Sequence, residues 1–187
     1  MPKTQAAAKA ASRDTSVRVA IVGTGFAGLG MAVRLKKADD VGGTWRDNHY
    51  PGCACDVQSH LYSFSFAPNP NWSRMFSPQP EIWQYLRDTT DKFGLRPHIR
   101  FNSEVTSARW DEEAGVWHVS LANGGTVTAN VLVSGMGGLS RAAYPSIKGL
   151  DKFKGKSFHS QDWDHDYDLA GKRVAVIGTG ASAIQFV

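Results

Sequence analysis

Residues 18–28 read Arg18-Val19-Ala20-Ile21-Val22-Gly23-Thr24-Gly25-Phe26-Ala27-Gly28. Val17 through Val22 is a short, β-branched apolar run, the pattern of a strand buried on both faces, and it stops at Gly23. Gly23, Gly25 and Gly28 then stand in G-x-G-x-x-G spacing. In a strand–turn–helix setting each glycine has its own reason. The first allows the tight turn, the second lets backbone approach a pyrophosphate, and the third lets helix and strand pack closely. The helix start beyond the turn offers free N–H groups to an anion. One such hexad is weak, because glycine turns after strands are common.

The chain repeats it. Arg173-Val174-Ala175-Val176-Ile177-Gly178-Thr179-Gly180 echoes residues 18–25, with the first glycines, Gly23 and Gly178, 155 residues apart. That spacing is the size of a domain. The second turn continues Ala181-Ser182-Ala183, with alanine in the third glycine position. Two dinucleotide turns on one chain suggest a flavin and a nicotinamide, and a redox enzyme that passes hydride between them.

Between the two turns the pattern changes period. Phe26 to Lys37 reads as a helix, and residues 39–60 read as loop, rich in Gly, Asp, Asn and Pro. Ser77-Pro78 predicts a helix start with Ser77 as N-cap. That helix carries Ile82, Leu86 and Phe93 and stops at Gly94. Glu104–Trp110, Val116–Leu121 and Thr126–Val133 predict three successive strands, with Asn123-Gly124-Gly125 turning between the last two. The meander runs into Gly135-Met136-Gly137-Gly138. Residues 139–172 read as a linker, and 173–177 as another buried strand.

Two further motifs carry a family resemblance. Residues 42–56 read Gly-Gly-Thr-Trp-Arg-Asp-Asn-His-Tyr-Pro-Gly-Cys-Ala-Cys-Asp, and residues 153–164 read Phe-Lys-Gly-Lys-Ser-Phe-His-Ser-Gln-Asp-Trp-Asp. The second resembles the F-x-G-x-x-x-H-x-x-x-W-D fingerprint of type I Baeyer–Villiger monooxygenases, and the first that family's G-G-x-W-x-x-x-x-Y-P-G-x-x-x-D signature. The related N- and S-oxygenating flavin monooxygenases usually carry Tyr or Phe where this chain has Trp163. The resemblance spans nearly everything from Val17 to Val187.

It implies an α/β fold: a Rossmann-like FAD-binding domain with an inserted β-meander, then the first strand and helix start of a second, NADPH-binding Rossmann domain. The divisions are a disordered extension (1–16), the FAD domain (17–150), a linker bearing the fingerprint (151–172) and the opening of the second domain (173–187). The implied cofactors are FAD and NADPH, and the implied partners a small-molecule ketone and O₂. In the family NADPH reduces FAD, the reduced flavin meets O₂ to give a C4a-peroxyflavin, and the ketone becomes an ester or lactone. Gly23, Gly25, Phe26, Ala27 and Gly28 would hold the FAD pyrophosphate. Thr44, Trp45 and Tyr62 would lie along the flavin, and the Val105 backbone would contact adenine. Asp56 would sit by the flavin and orient an arginine, with Cys55 and Asp56 also beside the nicotinamide. Gly178, Thr179, Gly180, Ala181, Ser182, Ala183 and Ile184 would hold the NADPH phosphates. His159 and Trp163 would couple NADPH binding to domain movement.

One part of the pattern is missing. A dinucleotide fold has a second strand after the first helix, ending in an acid for the ribose about twenty residues past the glycines. If the helix reaches Lys37, only Ala38-Asp39-Asp40 precede Val41-Gly42-Gly43. The second strand is therefore expected to be absent near 38–40, with Asp47 the acid by count alone. The second nucleotide domain is expected to be incomplete. Together these gaps predict an inactive copy, or a non-catalytic remnant with weak FAD binding.

Composition narrows the remaining classes. The net charge is +4, but Lys3, Lys9, Arg13 and Arg18 against Asp14 place most of it in the first eighteen residues. The rest has no basic face of the kind nucleic acid requires. The basic start reads as an extension or a weak transit peptide. No stretch approaches the ~18 apolar residues of a membrane span. Cys53 and Cys55 stand too close for an easy disulfide, so a cytoplasmic location is expected. With His49, Asp56 and His60 they lack metal-site spacing, and no metal is expected. Trp72, Trp83, Trp110 and Trp117 read as packing residues, and Asp162, Asp164, Asp166 and Asp168 as a solvated loop.

Overall fold

The computed structural model describes residues 14–30, 34–35, 39–139 and 142–187. Its centre is a six-stranded sheet. The strands are β1 (Thr15–Val22), β2 (Arg34–Leu35), β3 (Ile99–Arg100), β4 (Val105–Asp111), β5 (Val116–Leu121) and β6 (Thr126–Ser134). They lie in the order β3-β2-β1-β6-β5-β4. β1 pairs in parallel with both β2 and β6, and β2 with β3, while β4, β5 and β6 form an antiparallel meander. The parallel half, read outward from β6, is one wing of a doubly wound sheet, and the α/β expectation holds.

β1 and the three meander strands follow from sequence as expected within a residue or so, with one extension, while β3 (Ile99–Arg100) was not expected. Thr15 and Ser16 pair with Val127 and Thr128. The first two residues of β1 therefore come from the stretch read as a disordered extension. Residues 1–13, where the rest of that reading falls, lie outside the described residues.

The first helix departs from expectation. α1 is a single turn, Phe26–Leu29. Arg34–Leu35, read in the sequence as helix, instead pairs with Ile21–Val22 as β2. The second strand is thus not absent. It is a two-residue stub drawn from residues that would otherwise have extended the helix. The physical reason is the shortness of the crossover: eleven residues, 23–33, separate β1 from β2, where a parallel connection usually needs a dozen or more. Residues 31–33 and 36–38 lie outside the described residues.

A one-turn helix α2 (Thr44–Asp47) falls inside the stretch read as loop, and the long helix α3 spans Gln79–Lys92. α3 does not use Ser77 as its N-cap. Pro78 takes that position. Ser77 is buried and turned to its own loop, with its Oγ 2.6 Å from Ser59 Oγ and its N–H donating to Ser59 Oγ at 3.0 Å. The helix ends at Phe93, with Gly94 at φ +60, as a left-handed C-terminal glycine requires.

Two apolar clusters hold these layers. Leu29, Val41, Trp45, Tyr50, Ile82, Tyr85, Leu86 and Ile99 pack α1, α2 and α3 over one region. Ala20, Val119, Leu121, Val127 and Ala129 fill the meander side. Trp72 lies against Tyr85, and Trp110 against Trp117, as packing residues.

Residues 173–177 form no strand. Val174 and Ile177 are 55% and 63% exposed, and no ladder joins them to a neighbour among the described residues. A parallel strand exists only through its partners, and an apolar run without them stays extended and wet. The helix expected after the second turn does form, as α4 (Ala181–Phe186).

Leu86 is fully buried in α3 at the centre of the first cluster. Leu86→Ala should lower unfolding free energy by about 2–5 kcal/mol in a urea titration. Ile184→Ala, at a 74% exposed position, should stay within about 0.5 kcal/mol.

Candidate functional site

The site is built first from glycine backbones. Gly23 leaves β1 at φ +118, and a Cβ there would stand 2.0 Å from Gly135 O. Gly28 packs beneath it, where a Cβ would stand 2.1 Å from Gly23 O. Gly43, at φ +57, sits so close that its Cβ would lie 2.9 Å from Gly25 Cα. Hydrogen bonds tie the three segments together: Gly42 N donates to Thr24 O at 3.0 Å, and Gly135 N to Val22 O at 2.7 Å. A Cβ on Gly25 itself would meet nothing nearer than 3.8 Å. The middle glycine therefore faces the open side of the cradle. Thr24 is fully buried beneath it, with its hydroxyl oxygen unpartnered among the described residues.

Aromatic side chains wall this cradle. Phe26 meets Tyr62 edge-on, with ring centroids 4.6 Å apart, and Trp45 Nε1 donates to the Tyr62 hydroxyl at 3.0 Å. Burial pushes the Tyr62 phenol up, with the Trp45 N–H opposing. Thr44 opens α2 directly after Gly43, so Gly23, Gly25, Phe26, Ala27, Gly28, Thr44, Trp45 and Tyr62 form one neighbourhood. Val105 does not join it through the sheet: it opens β4, three strands away from β1.

The acids beside β2 are already engaged. Asp39 pairs with Arg46 at 2.9 Å, Asp40 with Arg96 at 3.0 Å and Arg87 at 3.5 Å, and Asp47 with Arg46. Asp47 lies in α2, so its position by count gives it no strand end to stand on. A cavity of about 670 Å³ opens here, lined by Asp39, Asp40, Arg46, Asp47, His49 and Trp83 among others. Of these six, only Asp47 was weighed for the site, as the ribose acid by count alone.

The second group gathers on the Tyr50–Asp56 loop. This loop is zipped to the start of α3: Cys55 N donates to Ser77 O at 3.0 Å, and Gln79 N to Cys53 O at 2.8 Å. Cys53 and Cys55 are free and buried, and burial pushes both thiols up, which favours thiol over thiolate. Asp56 is exposed at the loop's end. Against this loop sits α4. Its Ser182 Oγ is 3.0 Å from the Tyr50 hydroxyl, and Phe186 packs on both Tyr50 and Trp163. Burial pushes the Tyr50 phenol up to about 12.

The second glycine turn repeats the first in backbone but not in setting. Gly178 has φ +128, and Gly180 has φ −76, ψ 175, beside φ −80, ψ −167 at Gly25. Yet a Cβ on Gly178 or Gly180 would meet nothing within 4 Å. Gly178, Thr179, Gly180, Ala181 and Ile184 are exposed, and Ser182 and Ala183 half-buried. His159 and Trp163 separate. Trp163 joins the α4 group, while His159 Nδ1 accepts from Gln161 N at 3.1 Å, capping the 3₁₀ turn Ser160–Asp162.

Sequence reading missed Gly42, Gly43 and Gly135 as parts of the cradle, though each stood in a quoted glycine run. It also missed Tyr50, Gln185 and Phe186. Tyr50 had a signal in its motif; Gln185 and Phe186 had none.

A family model described as flavin-binding monooxygenase-like matches residues 16–187. The chain belongs to that family. A Baeyer–Villiger monooxygenase of Pseudomonas aeruginosa is 60% identical over 181 residues, covering 91% of this chain and 34% of the relative. Another, from Streptomyces coelicolor, is 60% identical over 182 residues, covering 91% and 35%. Among solved structures, an oxidised steroid monooxygenase bound to NADP matches with TM-score 0.80 at 45% identity, over 92% of this chain and 36% of that one. An OTEMO complex with FAD and NADP matches with TM-score 0.83 at 38% identity, over 93% and 37%. The chain thus spans about a third of the length of the curated relatives it matches.

Gly28→Ala should cost at least ~3 kcal/mol, because the overlap is with backbone that cannot move aside. Thermal unfolding of the variant beside the wild type measures this. An unchanged midpoint would show that the turn is not packed as described.

Proposed function

We propose that this chain carries the nucleotide sites of a flavin-dependent monooxygenase of the Baeyer–Villiger kind, with FAD on the first glycine turn and NADPH on the second, and that these 187 residues by themselves do not turn over. The reaction of such an enzyme would be the oxygenation of a small ketone by O₂ to an ester or lactone. The observation that carries the reading is the cradle of Gly23, Gly25, Gly28 and Gly43, with Thr24 Oγ1 buried beneath it and unpartnered among the described residues. Such a surface of bare backbone, open over Gly25, fits a pyrophosphate. FAD, when bound and reduced by NADPH, supplies the oxygen-activating chemistry. Gly23 to Gly28 would hold its pyrophosphate, and Phe26, Thr44, Trp45 and Tyr62 would orient it and exclude water along the aromatic wall. Asp56, exposed beside the α4 loop, would be the carboxylate positioned to orient a cation there. Trp163 would hold the linker to α4. His159 would act through the linker rather than on reacting atoms.

The second reading, a non-catalytic remnant that binds FAD weakly or not at all, also has support. α1 is one turn long and β2 two residues. The acids near β2 are tied up by Arg46, Arg87 and Arg96, so a ribose would have to compete for them. A missing charge-assisted hydrogen bond costs about 1.5–3 kcal/mol, roughly ten- to a hundredfold in affinity. The purified 187-residue chain should therefore carry substoichiometric flavin. Added FAD should bind weakly, seen as quenching of its fluorescence, and Gly25→Ala should weaken it further by at least about tenfold without lowering stability. Equal affinity in the variant would remove the pyrophosphate from this turn.

Residues 173–177 lack sheet partners and the second turn is exposed, so the second nucleotide would find little to hold it. The 187-residue chain with FAD, NADPH, O₂ and a ketone is expected to give no ester by gas chromatography. Ester formed above a no-enzyme control would overturn that expectation.

A further inference from the structure

The contact between α4 and the Tyr50–Asp56 loop is made by Tyr50 on the loop and by Ser182, Gln185 and Phe186 on the helix. Gln185 Nε2 donates to Ala54 O at 2.8 Å, and its Oε1 accepts from Ala54 N at 3.3 Å and from the Tyr50 hydroxyl at 2.9 Å. The amide thus reads both backbone groups of one residue, as a paired strand would. Tyr50 has one hydroxyl proton, and Gln185 Oε1 can only accept it, so Ser182 Oγ–H is left to donate to Tyr50. Gly52, at φ +76, lets the loop come in under the helix, where a Cβ would stand 2.2 Å from Gln185 O. Phe186 adds ring contacts to Tyr50 and Trp163 at 5.8 and 5.1 Å.

We propose that Tyr50 and Gln185 are positioning residues that latch α4, and the second glycine turn ahead of it, onto the loop carrying Cys55 and Asp56. Occupancy of the first turn is thereby felt at the second. The latch and the first site are both tied to the start of α3. Cys53 and Cys55 are zipped to the start of α3, and Gln79, the first residue of α3, donates from its side-chain amide to Trp45 O. Trp45 in turn holds Tyr62 in the aromatic wall. A hydrogen-bonded path therefore runs from the wall through Trp45, Gln79 and the 53–55 backbone to Gln185. The coupling rests on the reading of the first turn as an FAD site, but the latch itself does not.

Amide hydrogen exchange followed by mass spectrometry separates the two. Tyr50→Phe keeps the ring and removes the hydroxyl, and Gln185→Leu keeps the bulk and removes the amide. Without nucleotide, both should speed exchange across 180–187 and 52–55 by about tenfold, the worth of one net hydrogen bond, while 126–134 is unchanged. With FAD bound, shown by quenched flavin fluorescence, 180–187 should slow in the wild type and not in either variant. Unchanged exchange at 180–187 in both variants overturns the latch. So does FAD-induced protection that survives in them, and so does FAD binding that leaves 180–187 of the wild type unaffected. If FAD fails to bind the wild type, the FAD reading falls, and the nucleotide-free exchange still decides the latch.

Discussion

Backbone-on-backbone packing at Gly23, Gly28, Gly43 and Gly135 is the constraint from which the rest of the architecture follows. Each of these positions would drive a Cβ to 3.0 Å or closer to another main chain, distances at which no rotamer relieves the overlap. The packing brings the end of β1, the start of α1, the entry to α2 and the exit from β6 to one point. Seven register pairs between β1 and β6, from Thr15↔Val127 to Val22↔Ser134, deliver Gly23 and Gly135 together. Gly42 and Gly43, at φ +130 and +57, turn the chain so that Trp45 can enter the core. The cradle is thus a by-product of how the sheet closes, and it is open over Gly25.

The short crossover shows what such a sheet gives up first. With eleven residues between β1 and β2, strand pairing and helix length compete for the same chain. The structure keeps two residues of pairing and one turn of helix. Ile21 and Val22 would otherwise leave backbone groups unpaired on that side, each costing about 1–3 kcal/mol if buried. A helix turn lost to the crossover costs far less, since helices that short have little stability of their own. Pairing β2 to β3 then carries the same logic outward, Arg34↔Ile99 and Leu35↔Arg100.

This competition marks where the sequence was legible. Val17–Val22, the meander and the helix carrying Ile82 and Leu86 were readable because their periodicity and their burial agree. Lys36 and Lys37 looked like a helix end, and nothing local says that Arg34 and Leu35 are needed by a sheet. That demand comes from β1 and β3, which lie far away in sequence. Residues 173–177 failed for the converse reason: their pattern is that of β1, but a pattern does not supply a partner. The turns behaved differently. Gly23 and Gly178 adopt φ within ten degrees of each other, one packed and one in open space, so the turn conformation is local and was fully readable. The aromatic wall was legible only through the Gly-Gly-x-Trp motif, and Gln185 not at all, because its role depends on the backbone of Ala54, which any residue would provide.

The polar character of the α4 contact bears on what it can do. α4 has no fully buried residue, and its docking rests on Gln185, Tyr50, Ser182 and the edge contacts of Phe186. An apolar interface of the same size would hold by area alone and would release only at the cost of exposing that area to water. Hydrogen bonds exchange with water at small net cost, about 0.5–1.5 kcal/mol each, and they demand a fixed geometry. A contact of this kind therefore specifies an orientation without making it permanent. The Tyr-Pro-Gly stretch and Trp163, which belong to two separate motifs, meet on this one helix. Their shared location gives a physical reason for both: one presents a backbone that glycine lets approach, and the other holds the linker against Phe186 of the same helix.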